Sequence, residues 1–160
     1  MRLVLVGTSH HHAPVELRER VALDLDAAHS LAKRLGAAVV LSTCNRTEIY
    51  LEAEDGDAAE HAAVTALTEV EQALYRLRDQ AAALHLFRVA AGLDSLVPGE
   101  GEILGQVRTA FEAGTPGLVL ERVFRQALHA GRKVRAQTAI GESPASVSAA
   151  AAALAEQVFG

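Results

Sequence analysis

The 160 residues are 50% hydrophobic and 22% charged, with a mean hydropathy of +0.16 and a formal net charge of −5. That balance supports one medium domain, or two small packed subdomains, and argues against disorder. It also excludes a membrane span, for which no run approaches ~18 uninterrupted apolar residues, and makes the surface as a whole a poor binder of polyanions.

The opening, MRLVLVGTSHHHAPVELRER, has no small-residue cleavage pattern and reads as a strand rather than a signal peptide. Residues 3–6 form that strand, and Gly7-Thr8-Ser9 ends it. After three histidines, Ala13-Pro14 sits at the start of a short helix over 15–21. A second helix begins at Asp24 and stops at Gly36. Strand character returns over 37–42 and again over 47–53, joined by Thr43-Cys44-Asn45-Arg46, which is short enough only for a tight hairpin connection. A helix is expected over 60–71. Residues 73–78 alternate like a fourth strand, although a continuous helix from Glu60 satisfies much of the same spacing. The order predicts an α+β fold: a ferredoxin-like βαββαβ antiparallel sheet. From Asp79 the pattern turns helical: 81–91, a structured loop over 92–99, a helix from about Glu100, another over 118–138, and an alanine-rich helix from Ser146. The expected organisation is a sheet subdomain over 1–78 packed against a helical bundle over 79–140, with 141–160 leading out.

Cysteine usage is sparse. A single Cys excludes an internal disulfide and a cysteine-cluster metal site, and it fits a reducing cytoplasm. Cys44 has two readings: a small buried hydrophobe, or a nucleophile held at a strand end beside a guanidinium that favours the thiolate. Arg46 is either a solvated turn residue or a fork-shaped carboxylate donor. Glu48, two positions on and on the same face, either meets solvent or orients Arg46. His10-His11-His12 has no zinc spacing, so no metal is expected and a hydrogen-bonding loop histidine is the better reading. His85, on a largely apolar helix, reads by itself as a satisfied core histidine. Ser95 and Glu100 flank a glycine-rich loop that matches no nucleotide fingerprint and reads as a ligand wrap or as a connection with local caps. Between 121 and 138, five basic residues face only Glu121, a local +4 that suits phosphates or simply solvent. Stacking on bases is not expected with 4% aromatics.

Several separated blocks are similar, in order, to one family. Gly7-Thr8-Ser9-His10-His11-His12-Ala13-Pro14 with Arg18-Glu19, LSTCNRTEIY over 41–50, HLFRVAAGLDS over 85–95, GEGEILGQ over 99–106, and Ile140-Gly141 with Ser146-Val147-Ser148 resemble the catalytic domain of glutamyl-tRNA reductases across essentially the whole chain. The resemblance implies reduction of tRNA-esterified glutamate to glutamate-1-semialdehyde, the first step of tetrapyrrole synthesis from glutamate. In that reading Cys44 forms a thioester, and His85 is the histidine that matters for activity. Thr43, Asn45, Arg46, Ser95, Glu100, Gly101, Glu102 and Gln106 fall on substrate-contacting positions, with His10 and Glu48 in support. The resemblance also implies NADPH as cofactor of the full-length enzyme, with none bound by this stretch. It implies glutamyl-tRNA as partner, a homodimer at full length, and an aminomutase acting on the product. The chain is expected to be a piece ending about where the NADPH-binding domain begins, limited to acylation and ester hydrolysis. Two departures stand out: Pro98 replaces a large apolar residue, and Glu102 replaces an amide, adding negative charge beside the expected glutamyl group. The competing expectations are a non-reducing tRNA- or partner-binding relative and a cysteine esterase.

Overall fold

The computed structural model describes residues 1–142 and 147–159. Its strands are β1 (Arg2–Ser9), β2 (Ala38–Ser42), β3 (Arg46–Ala53) and β4 (Tyr75–Arg78). They form one antiparallel sheet in the order β2-β3-β1-β4, which is the ferredoxin-like arrangement. The helices are α1 (Val15–Arg20), α2 (Leu25–Leu35), α3 (Gly56–Ala66), α4 (Asp79–Ala90), α5 (Glu102–Ala113), α6 (Leu118–Gln137) and α7 (Val147–Phe159).

Strand alternation sends side chains to two buried faces. On one face Val4, Val6, Val40, Ile49 and Leu51 pack on Leu31 and Ala32 of α2 and Ala63 of α3. On the other, Leu3, Leu5, Val39, Leu41 and Tyr50 pack on Leu86 of α4, Val107 of α5 and Phe124 of α6. Both faces of the sheet are therefore covered, and β3 is buried along nearly its whole length. The edges are protected differently. Thr115 pairs with Ala38 at the rim of β2, exchanging both backbone bonds at 2.8 and 3.2 Å. The β4 edge is only four residues long and carries the exposed Arg76 and Arg78. Short, charged edges discourage pairing with another chain.

The structure revises two expected elements. The helix expected over 60–71 starts earlier, because the Asp55 side chain accepts the Asp57 and Ala58 N–H groups at 3.0 Å and caps α3. It also ends earlier, giving way to a 3₁₀ turn over Thr68–Ala73, within which Val70 departs from helical geometry at φ −126°. That break frees residues 75–78 to extend along β1, so the continuous-helix alternative is overturned. The expected helix start at Ser146 lies outside the described residues. Among the described residues, no helix is long and apolar enough to cross a membrane.

Candidate active site

One end of the sheet gathers the chemistry. Here β1 runs out at Ser9, β3 begins at Arg46 and β4 begins at Tyr75, while the start of the 92–101 loop closes over them. The Thr43 N–H donates to the Arg46 carbonyl at 2.8 Å, and the Asn45 N–H to the Thr43 hydroxyl at 3.1 Å. This turn is pinned from two sides. His10 N–H donates to the Asn45 carbonyl at 2.9 Å, and Arg18 of α1 donates to the Cys44 carbonyl at 3.0 Å and to Asn45 Oδ1 at 3.2 Å. Cys44 itself is exposed, so the buried-hydrophobe reading of that thiol is overturned.

Beneath the turn lies a polar network facing α4. Arg46 is not a solvated turn residue: its side chain is 1% exposed. It donates through Nη1 to Glu48 Oε1 at 2.9 Å, and through Nη2 to Asp94 Oδ2 at 2.9 Å and the Asp94 carbonyl at 2.7 Å. Glu48, with no exposed side-chain surface, also accepts Tyr50 at 2.6 Å and Tyr75 at 2.5 Å, and lies 2.7 Å from His85 Nε2. Burial by itself raises a carboxyl pKa, but Arg46, His85 and Tyr50 outweigh it and hold Glu48 at about 2. Burial likewise opposes the charge of Arg46, yet Glu48, Tyr75 and Asp94 raise its pKa. Both tyrosine hydroxyls are pushed well up, first by burial and then by the Glu48 charge, and so remain donors.

Glu48 can lie flat against the sheet because Gly7 stands opposite it on β1. A Cβ at Gly7 would come within 2.8 Å of Glu48 Cγ.

The 92–101 loop is built on Gly92 and Gly99, at φ +80° and +82°, a region that side chains disfavour. Arg135 of α6 turns away from its basic neighbours to bond the carbonyls of Gly99 at 2.9 Å and Glu100 at 2.5 Å. Ser95 does not cap α5, whose N-cap is Gly101 without a side-chain bond, while the Glu100 carboxyl faces the Ile103 N–H in the first turn. Instead Ser95 is buried with its Oγ unpartnered, and burial followed by the charge of Glu102 raises the Glu100 pKa. Glu102 and Gly101 are exposed and Gln106 is half-buried. His10 is half-buried, its Nδ1 has no partner, and burial, then His11 and Arg46, lower its pKa.

A separate cleft of about 480 Å³ runs beside the turn, lined by Leu23, Leu25, Leu41, Ser42, Glu102 and Gln106 among others. The structure thus divides the expected residues into two groups. Arg46, Glu48 and His85 join in one network, with Thr43 and Asn45 shaping the turn above, while Glu102 and Gln106 belong to the neighbouring cleft. Among the described residues no group of three or more His, Cys, Asp or Glu is placed to hold a metal. Sequence reasoning missed Tyr75, Asp94, Arg18 and Arg135 as parts of the site. The signals were weak: Arg18 and Asp94 lie inside two of the blocks that carry the resemblance, and Tyr50 and Tyr75 are the only two tyrosines in the chain.

Residues 6–138 match the family model described as glutamyl-tRNAGlu reductase, N-terminal domain. The chain belongs to that family. Relatives named glutamyl-tRNA reductase include one from Rubrobacter xylanophilus, 47% identical over 100% of this chain and 41% of its own length. Another, from Shewanella denitrificans, is 45% identical over 99% of this chain and 42% of its own. The solved glutamyl-tRNA reductase from Methanopyrus kandleri superposes with a TM-score of 0.76 at 36% identity, covering 97% of this chain and 39% of that one. The chain therefore spans about two fifths of the length of the family members it matches.

Proposed function

We propose that this domain performs the acyl-transfer half of a glutamyl-tRNA reductase reaction, with Cys44 as the nucleophile. The observation that carries the reading is an exposed thiol on a turn fixed by Arg18, His10 and its own backbone, directly above a buried charged network. The Cys44 sulfur attacks the ester carbonyl of glutamyl-tRNA. A carbon–sulfur bond forms, the ester carbon–oxygen bond breaks, and the ribose oxygen leaves with a proton as free tRNA. His85 moves that proton.

Arg46 has a positioning part in this scheme. Its Nη1 and Nη2 groups are taken by Glu48 and Asp94, so it sets the local charge and holds the 92–101 loop rather than offering a free fork. Ser95 supports the reading from another side: a buried hydroxyl without a partner costs roughly 1–3 kcal/mol, which a bound glutamyl group would recover. Thr43, Asn45, Glu100, Gly101, Glu102 and Gln106 complete the proposed substrate contacts, with Glu102 disfavouring a nearby carboxylate.

Family membership supports three further assignments for the whole protein: NADPH as the source of hydride, assembly as a homodimer, and an aminomutase that takes up the semialdehyde. A cytoplasmic setting would keep Cys44 reduced. The described residues do not fit the cofactor. The neighbouring strands are all antiparallel, and no G-x-G-x-x-G turn leads from a strand into a helix. The reaction assigned to these residues therefore stops at the thioester and its hydrolysis.

Incubation with glutamyl-tRNA followed by intact-mass measurement tests the proposal. A glutamyl adduct on the native chain and none on Cys44→Ser is the expected result. Equal labelling of both, or of neither, would defeat it.

A further inference from the structure

We infer that Glu48 is a positioning residue that keeps the proton on Nε2 of His85, leaving Nδ1 as the one ring nitrogen able to exchange a proton with the reacting atoms. The inference rests on the acyl-transfer reading above and assigns its proton to a single atom.

Donors and acceptors around Glu48 fix the tautomer. Oε1 of Glu48 receives Arg46 Nη1 at 2.9 Å and the Tyr75 hydroxyl at 2.5 Å, Oε2 receives the Tyr50 hydroxyl at 2.6 Å, and His85 Nε2 stands 2.7 Å from Oε1. An ionised carboxylate only accepts. With the guanidinium beside it, Glu48 stays ionised throughout the range in which an imidazole titrates. Whatever faces Oε1 at 2.7 Å must therefore bring a hydrogen. In the neutral ring that requirement selects the Nε2–H tautomer, and in the charged ring Nε2 keeps its hydrogen while Nδ1 gains one. Nδ1 is thus the nitrogen left to accept a proton, and it has no hydrogen-bond partner among the described residues. The ring is held in place as well, with Tyr75 packed against it at 5.3 Å between centroids.

The surroundings leave little room for another outcome. The charged and titratable groups facing Glu48 are Arg46 and Tyr50 from β3, Tyr75 from β4, His85 from α4 and, across Arg46, Asp94 from the loop. β1 and β2 present Gly7 and Leu41 opposite Glu48. His12 reaches this group only through the Tyr75 ring, at 4.8 Å. In the reaction, Nδ1 takes the proton of the Cys44 thiol as the carbon–sulfur bond forms. It returns that proton to the ribose oxygen as the ester bond breaks, so the imidazole ends as it began.

Two measurements on the 160-residue chain decide the matter. Long-range ¹H–¹⁵N NMR of the histidine rings, with His85 identified by its loss in His85→Asn, should show Nε2 protonated at every pH and the pH-dependent shift on Nδ1. A neutral His85 carrying its proton on Nδ1 would overturn the inference without any reference to activity. In Glu48→Gln the amide can present either its oxygen or its NH₂ group to the ring, so the tautomers should mix. The single-turnover rate of adduct formation should then fall by roughly 10²-fold or more, with its pH dependence altered. A folded Glu48→Gln protein that acylates at the native rate with an unchanged His85 spectrum would also overturn it. If Glu48→Gln does not fold, the native spectrum alone decides. If the native chain forms no adduct, the proposed reaction fails while the tautomer measurement still judges this inference.

Discussion

Removing the carboxylate of Glu48 would leave the Arg46 guanidinium, 1% exposed, with Asp94 as its remaining carboxylate, and would take from the Tyr50 and Tyr75 hydroxyls their acceptor. Glu48→Ala should therefore destabilise the fold by about 3–5 kcal/mol, read as a lower urea midpoint. The same carboxylate links stability to pH. Its folded-state pKa lies near 2, below the ordinary 4.5, so its contribution is complete above the unfolded value and is lost as pH falls from about 4.5 through about 2. Urea midpoints measured over that window should drop more steeply for the native chain than for Glu48→Gln; parallel curves would contradict the assignment. Gly7→Ala probes the same spot sterically. The new methyl meets Glu48 Cγ at 2.8 Å and the Thr47 carbonyl at 2.9 Å, and the backbone oxygen cannot yield. A loss of roughly 1–3 kcal/mol is expected, again from urea titration. At this scale the sequence was partly legible. Arg46 and Glu48 stand two apart in an alternating run, which puts them on one face. What occupies that face was not readable, because Tyr75, His85 and Asp94 arrive from 27, 37 and 48 residues away.

Among the elements, the β2–β3 turn depends on a side chain from outside the hairpin. Arg18→Ala removes both bonds to the turn, and it should slow acylation of Cys44 while leaving the urea midpoint almost unchanged. An equal loss of both would make Arg18 merely structural. The crossing of α4 and α6 is set by Gly131, where a Cβ would lie 2.7 Å from the Ala90 carbonyl and 2.9 Å from Leu104 Cδ1. Gly131→Ala should cost about 1–3 kcal/mol despite the roughly 1 kcal/mol gained in helix propensity. Most elements announced themselves in the sequence through apolar runs and punctuation, such as 3–6 before Gly7-Thr8-Ser9, and Asp24 and Gly36 around α2. The span after β3 did not, because the start of α3 depends on Asp55 side-chain bonds and its end on a kink at Val70. Neither leaves a mark in hydrophobic spacing.

At the level of the whole molecule, one sheet supports two cores, one on each face. The two halves recognised by composition should therefore unfold together. Near-UV signals from Tyr50 and Tyr75, both tied to Glu48, should fall in the same urea transition as far-UV helical signal; separated midpoints would mean independent subdomains. The chain's −5 conceals an exposed basic face on α6, comprising Arg122, Arg125, Arg132 and Lys133, with Arg125 partly engaged by Glu121 at 2.8 Å. The βαββαβ order was legible because its strand runs and turns are short and local, whereas the two-sided covering of the sheet depends on helices far along the chain. In the proposed reaction the activated glutamyl group passes to one sulfur atom. Tandem mass spectrometry of peptides from a brief, acid-quenched reaction with glutamyl-tRNA tests this most directly. A glutamyl thioester on Cys44, with free tRNA released in equal amount, is the predicted result. A glutamyl group on any other residue, or tRNA release with no acylated peptide, would contradict it.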